Sequence, residues 1–298
     1  MRVIYGLTHF KPPGRKPAAA LGVFDGLHQG HRRIIAKLKK EAGRLGTKSL
    51  VITFFPHPQK ESALYSLSHR LKLLKELGID LCLVIRFSPA LRRIPAEEFL
   101  QRILLKKINP ASVLIGKNFT FGRQARGDWR MLKMHSRRAG FKLFVVEVLA
   151  CKGRPVSSSW IRALIKSGNL AKARQLLGRP VTVFGKIRQG LGLGRKIGYP
   201  TANIIPEHDI IPPLGVYAVR VKLANKYFKG ICYIGNRPTI RPTPSKVNIE
   251  AHIFGFRGNI YGRRIEIEFI RKIRPQKKFA SIQALASQIK KDIRICRS

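Results

Sequence analysis

The feature that most constrains this chain is a change of periodicity at Arg179-Pro180. Before that point, apolar runs alternate with stretches of helical spacing. AAALGVF (18–24) precedes HRRIIAKLKKEAGRL (31–45), in which Ile34, Ile35, Leu38 and Leu45 recur near helical spacing. SLVITFF (49–55), a helix near 67–77 and LCLVIRF (81–87) continue the series. Pro95 suits a first helical turn and opens a helix through Ile108. SVLIG (112–116), a helix near 128–139 and FKLFVVEV (141–148) close it. Such alternation implies βαβ units and a parallel sheet, with ligands at the carboxyl ends of its strands. Two helices, 158–168 and 169–178, follow and stop at Gly168 and Gly178. Beyond Pro180 the helical spacing disappears. VTVFGKI (181–187), GVYAVRVKL (215–223), FKGICYIG (228–235), NIEAHIFGF (248–256) and IEIEFIRKI (265–273) read as strands separated by turns. They predict an antiparallel sheet or small barrel. A final helix, 281–296, carries Ile282, Leu285, Ile289 and Ile293 on one face to cap it. The 298 residues suit two domains, expected at 1–178 and 179–298.

Composition narrows the setting. The four cysteines are far apart and form no CxxC pair, which argues against a disulfide framework or structural zinc and for a reducing compartment. No apolar run is long enough to span a bilayer, so no membrane partner is expected. The segment MRVIYGLTHFKPPGRKP lacks the apolar core of a secretory signal and reads as a first strand and loop, so the expected location is cytoplasmic. Lys and Arg number 59 against 15 Asp and Glu, a net charge of +44. The cations are spread along the whole chain, densest in RQARGDWRMLKMHSRR and RKIRPQKK. No recognised nucleic-acid motif accompanies them, so nucleic acid is expected only as non-specific electrostatic binding. Oligomeric state is not legible.

Two segments carry chemistry. The first is Gly22-Val-Phe24-Asp25-Gly26-Leu-His28-Gln-Gly30-His31, between a strand and a helix. Histidines three apart at a helix start can face one side. The amides of that helix end favour a phosphate, and Gly30 admits close backbone approach. Nucleotidyl transfer needs this kind of positioning and charge stabilisation. A capping or structural histidine pair is the alternative; a zinc site lacks a third and fourth ligand at suggestive spacing. Ser158, Ser159 and Arg162 in SSSWIR make both a helix cap and an anion site, the guanidinium being suited to phosphate. Asn118 and Phe119 lie in GKNFTFGRQARGD, where a structural turn is the alternative.

The second segment is GLGLGRKIGYPTAN (190–203). Gly190, Gly192, Gly194 and Gly198 form a loop able to approach phosphates, and Arg195 and Lys196 add charge. It matches neither GxxxxGK[ST] nor GxGxxG, and glycines alone would mean a surface loop. Thr201 and Asn203, two apart on an extended segment, point to one side and offer oxygen donors that suit Mg²⁺. Glu250 alone would read as a barrel-surface carboxylate paired with an arginine.

These motifs resemble a known family. FDGLHQGH resembles the HxGH nucleotidyltransferases, specifically their FAD synthetase module, and FFPHP, the Asn118 segment and SSSWIR are similar to further pieces of it. GRKIGYPTAN resembles the riboflavin kinase signature, with GVYA, IGNRPT, IEAHIF and SQIKKDI in the expected order. The likeness runs from about residue 2 to 293, to the bacterial bifunctional riboflavin kinase and FAD synthetase family. It implies a Rossmann-like α/β domain with a parallel sheet over 1–178. It implies a small antiparallel β-barrel with a C-terminal helix over 179–298. The implied reactions are phosphorylation of riboflavin to FMN and adenylylation of FMN to FAD with release of pyrophosphate. ATP is the co-substrate, riboflavin and FMN are the small-molecule partners, and Mg²⁺ serves both steps.

The resemblance also assigns residues. His28 and His31 would act catalytically, and Gly22, Phe24, Asp25, Gly30, Asn118, Ser158, Ser159 and Arg162 would bind ATP or phosphate. On the kinase side, Gly190, Gly194 and Arg195 would bind ATP, Thr201 and Asn203 the metal, and Glu250 would be the general base. Tyr233, Arg274 and Gln276 would lie on the flavin side. Ser159 stands where the family usually has Thr, Tyr233 where it has Asn, and Gln276 where it has Glu. The last two departures bear on riboflavin affinity, and an alternative in which only the adenylyltransferase half works rests on them.

Overall fold

Strand β2 (Ala18–Leu21) is buried at all four residues, because strands and helices cover it on every side. It lies between β3 (Ser49–Phe55) and β5 (Ser112–Gly116) in a six-stranded sheet of order β1-β4-β3-β2-β5-β6. The others are β1 (Arg2–Tyr5), β4 (Leu81–Arg86) and β6 (Lys142–Val146). Every pairing is parallel. The chain builds outward from β2 through β3, then crosses to β5 on the other side. That makes the carboxyl end of β2 the switch point, where ligands of such sheets bind.

This computed structural model describes residues 1–58, 62–190, 194, 197–224, 226–236 and 247–297. The chain divides into two compact units, Met1–Ser158 and Ser159–Ser298. The expected division at 178/179 would leave the two helices before Pro180 with the first unit; by contact they group with the second.

In the first unit, α1 (Gln29–Arg44) buries Ile34, Ile35, Leu38 and Ala42, the expected apolar stripe. Helix α2 (Leu67–Glu76) is capped by the Ser66 hydroxyl, which accepts from the His69 amide. The segment expected as one helix from Pro95 to Ile108 is helical from Ala96 onward, its winding changing at Phe99. A turn α3 (Pro89–Arg93) comes first, and α4 (Ala96–Glu98) continues into a π-helix, Phe99–Ile108. Helix α5 (Trp129–Ala139) has Asp128 as its cap. A small antiparallel pair, β7 (Ala150–Cys151) with β8 (Arg154–Pro155), ends the unit.

The second unit holds α6 (Ser158–Lys166, whose first residue groups with the first unit), α7 (Leu170–Leu177) and a closed barrel. The strands are β9 (Val181–Arg188), β10 (Ala202–Pro206), β11 (Gly215–Leu223), β12 (Lys226–Asn236), β13 (Val247–Ile253) and β14 (Arg264–Arg274). Their order is β10-β13-β12-β11-β14-β9, antiparallel throughout, and closure leaves no edge strand. β10 is a strand beyond the five read from the sequence; five residues ending in Pro206 carry little alternating pattern. Helix α8 (Ile282–Arg297) buries Ile293 against Val216 and Ile231 of the barrel. No helix among the described residues is long and apolar enough to cross a membrane.

Candidate functional site

At the switch point the chain leaves β2 at Gly22, whose amide still donates to Ile52 O at 3.1 Å. It then turns sharply. Phe24 (φ 52°), Gly26 (φ 77°) and Leu27 (φ 43°) all take left-handed conformations, two of them at side-chain-bearing residues. Such backbone persists where its surroundings hold it, and it clusters at functional sites. Here the holds are visible. The Asp25 carboxylate, 2% exposed, accepts from the amides of Leu64 (3.0 Å) and Tyr65 (3.3 Å). Thr53 Oγ1 donates to Val23 O at 2.9 Å, and Ser158 Oγ donates to Asp25 O at 2.8 Å.

The turn delivers His28 as the cap of α1, its Nδ1 accepting from the His31 amide at 3.4 Å. The two rings stack, centroids 3.7 Å apart, and Phe24 meets His31 edge-on at 5.4 Å. The capping and same-side expectations both hold. Burial, the His28 ring and the Arg70 guanidinium hold the His31 imidazole well below its ordinary value, so it is neutral near pH 7. Its Nδ1 is buried without a hydrogen-bond partner among the described residues. Gly30 lies on the first turn of α1, where a Cβ would stand 3.2 Å from the His28 ring.

A cavity of about 570 Å³ opens over this turn. Gly22, Phe24, Asp25, His31, Asn118 and Ser158 line it, so six of the residues chosen from sequence converge there. His57, from the FFPHP loop, lines it as well, with Nε2 3.9 Å from Asp25 Oδ2. Aromatic rings of Phe54, Phe87 and Phe119 form its apolar wall. Ser159 and Arg162 belong to the second unit, where Arg162 is 7% exposed and its Nη2 donates to Ser159 Oγ at 2.8 Å.

In the barrel, register does the assembling. Glu250 on β13 lies opposite Asn203 on β10 and opposite Tyr233 on β12. Directly paired residues share a face, so the three side chains form one cluster. Thr201 Oγ1 donates to Glu250 Oε2 at 3.1 Å, and Asn248 Nδ2 donates to Glu250 Oε1 at 2.6 Å. Each carboxylate oxygen keeps a second lone pair. Thr201, Asn203 and Glu250, expected to act together, are thus adjacent, and their hard oxygen atoms fit Mg²⁺. A Cβ at Gly194 would strike the Tyr199 carbonyl, so that position requires glycine, whereas one at Gly190 would meet the movable end of the Asn203 side chain. Arg195 and part of IGNRPT lie outside the described residues. A cavity of about 510 Å³ adjoins the cluster, lined by Pro200, Thr201, Arg257 and Tyr261 among others.

The expected flavin-side residues are more dispersed. Tyr233 is half-buried; burial and then Glu250 push its hydroxyl above the ordinary range, while Arg274 opposes them. Arg274 pairs with Asp292 of α8, Nε to Oδ2 at 2.9 Å, and Gln276 is exposed. Sequence reasoning missed Asn248, although its spacing from Glu250 on a strand was a usable signal. It also missed the Asp25–Leu64 clamp and Arg70, which have no local signature.

Comparisons with known proteins bear on both sites. Residues 11–160 match the family model described as FAD synthetase, and 177–298 the one described as riboflavin kinase. A bifunctional riboflavin kinase/FMN adenylyltransferase of Pseudomonas fluorescens is 33% identical over 304 residues, covering 100% of this chain and 97% of the relative. The enzymes of that description from Bacillus subtilis and Escherichia coli K12 are each 32% identical, over 98% of this chain and 96% of theirs. A crystal structure named as a macrolide-efflux protein from Streptococcus pneumoniae superposes with a TM-score of 0.84 at 26% identity, covering 99% of each chain. That structure shares the fold of this chain.

Proposed function

The chain belongs to the bifunctional riboflavin kinase/FMN adenylyltransferase family, and from that premise we propose how its two sites divide the work. The protein is a transferase that phosphorylates riboflavin to FMN and adenylylates FMN to FAD. We assign the first reaction to residues 179–298 and the second to 1–178.

In the kinase half, Glu250 takes the proton of the riboflavin 5′-hydroxyl as that oxygen attacks the γ-phosphorus of ATP and ADP leaves. Thr201 and Asn248 orient the carboxylate and leave each oxygen a lone pair for the incoming proton. Thr201 and Asn203 would hold Mg²⁺, which neutralises triphosphate charge when bound. In the other half, a phosphate oxygen of FMN attacks the α-phosphorus of ATP and pyrophosphate leaves. Neutral His31 and stacked His28 donate N–H groups to phosphate oxygens as charge develops, beside the amides that begin α1. The aromatic wall of the cavity suits the flavin ring. Free thiols and ATP-dependent chemistry favour the cytoplasm.

The observation that carries this division is the Thr201–Glu250–Asn203 cluster, separate in sequence from the His28–His31 turn and furnished with its own base. Single-turnover assays on variants test it. Glu250→Gln should lose riboflavin phosphorylation by about 10²- to 10⁴-fold while FMN adenylylation stays intact. His28→Ala with His31→Ala should do the reverse. Loss of both activities in either variant would contradict the division.

A further inference from the structure

Among the described residues, Arg70 is one of the largest fully buried side chains, 2% exposed. It sits on α2, one turn after the Ser66 cap. Its Nη1 donates to Val23 O at 2.6 Å and to Thr53 Oγ1 at 3.2 Å, and its Nη2 donates to Phe54 O at 3.5 Å. Those acceptors lie at the carboxyl ends of β2 and β3, directly behind the cavity. Val23 O also accepts from Thr53 Oγ1, so one carbonyl, one residue before left-handed Phe24, is pinned by two donors. Burial works against the Arg70 charge and Asp25 supports it. Its Nε is buried without a hydrogen-bond partner among the described residues. A buried charge with an unmet donor is expensive, and an apolar residue of similar volume would serve packing better. Its position at the base of a strained turn points to the turn.

We propose that Arg70 is a positioning residue for adenylyl transfer, fixing the Val23 carbonyl and through it the Gly22–His28 turn that presents His28 and His31. This rests on the reading of that turn as the adenylyltransferase site. The guanidinium cannot lose its proton, so it also supplies a fixed positive charge behind the phosphates. The groups that face His31 are His28 on α1, the Phe24 ring from the turn and Arg70 from α2; Asp25 and His57 line the same cavity.

The test is steady-state FMN adenylylation by the full chain, with riboflavin phosphorylation as internal control. Arg70→Lys keeps the charge and loses the planar fork. Thr53→Val removes the hydroxyl shared between Arg70 and Val23. Both should lower kcat for adenylylation on the order of tenfold or more while KM for FMN and ATP stays close to that of the parent, because the turn is misplaced rather than the substrate released. Arg70→Met should in addition move the acid limb of the kcat profile upward, since one of the charges that keep His31 neutral is gone. If Arg70→Met does not fold, the other two variants decide. Unchanged kcat in the Lys and Val variants, or an acid limb that stays put in folded Arg70→Met, overturns the proposal. His28→Ala and His31→Ala run alongside. Full adenylylation in those would overturn the site reading itself, whereas their loss beside unaffected Arg70 and Thr53 variants would overturn Arg70 alone.

Discussion

Glu250 and His31 do opposite things with their surroundings. Glu250 is placed among donors: Asn248 and Thr201 each spend a hydrogen on it. A hydrogen bond to a charged group contributes about 1.5 kcal/mol or more. Asn248→Ala should therefore cost the kinase about tenfold in kcat, through a less well-oriented base, with little change in adenylylation. His31 instead is kept neutral by burial, His28 and Arg70. Its folded-state value lies below the ordinary 6.5, so the unfolded chain binds more protons as pH falls through that range. Stability of the first unit should thus be full above about pH 7 and decline below about 6.5, as measured by urea unfolding across pH. In His31→Gln that decline should be smaller. An unchanged slope would mean that His31 is not the buried neutral group described.

At the scale of elements, the C-terminal helix offers the sharpest test. Arg274, which the sequence assigned to the flavin side, ties β14 to α8 through Asp292, 1% exposed, and Gln288 Nε2 donates to the same carboxylate. Removing one partner of such a pair leaves an uncompensated buried group. Asp292→Ala should destabilise the barrel unit by about 3 kcal/mol, read as a shifted urea midpoint. Local sequence gives no sign of this tie. An arginine at a strand end followed by Pro275 and basic residues looks free for a ligand; its partner lies 18 residues later on another element. Periodicity did locate most strands and helices, because α1 and β3 bury faces that the spacing of Ile34, Leu38 and Leu50 already marks. It failed for β10, whose place is set by neighbours in the barrel. Between Pro95 and Ile108 it located the helix but not its change to π winding at Phe99. The site residues came from strings and spacing. What holds them came from long-range contacts such as Asp25 with Leu64 and Arg70 with Val23, which no local pattern encodes.

For the whole molecule, the net charge of +44 has a consequence independent of either site. It favours capture of anionic substrates and weak, sequence-independent binding of polyanions. Affinity for an arbitrary duplex should fall linearly on a log–log plot against salt, with no preferred sequence. A salt-independent or sequence-selective interaction would mean a true nucleic-acid site. One chain thus carries out two consecutive reactions. Purified protein is incubated with Mg²⁺ and ATP plus either riboflavin or FMN, and the flavins are separated by chromatography. Two working sites predict FAD from both mixtures, with FMN rising and falling as an intermediate in the first. FAD from FMN alone would contradict a working kinase and point to Tyr233 and Gln276, and no product in either mixture would contradict the account as a whole.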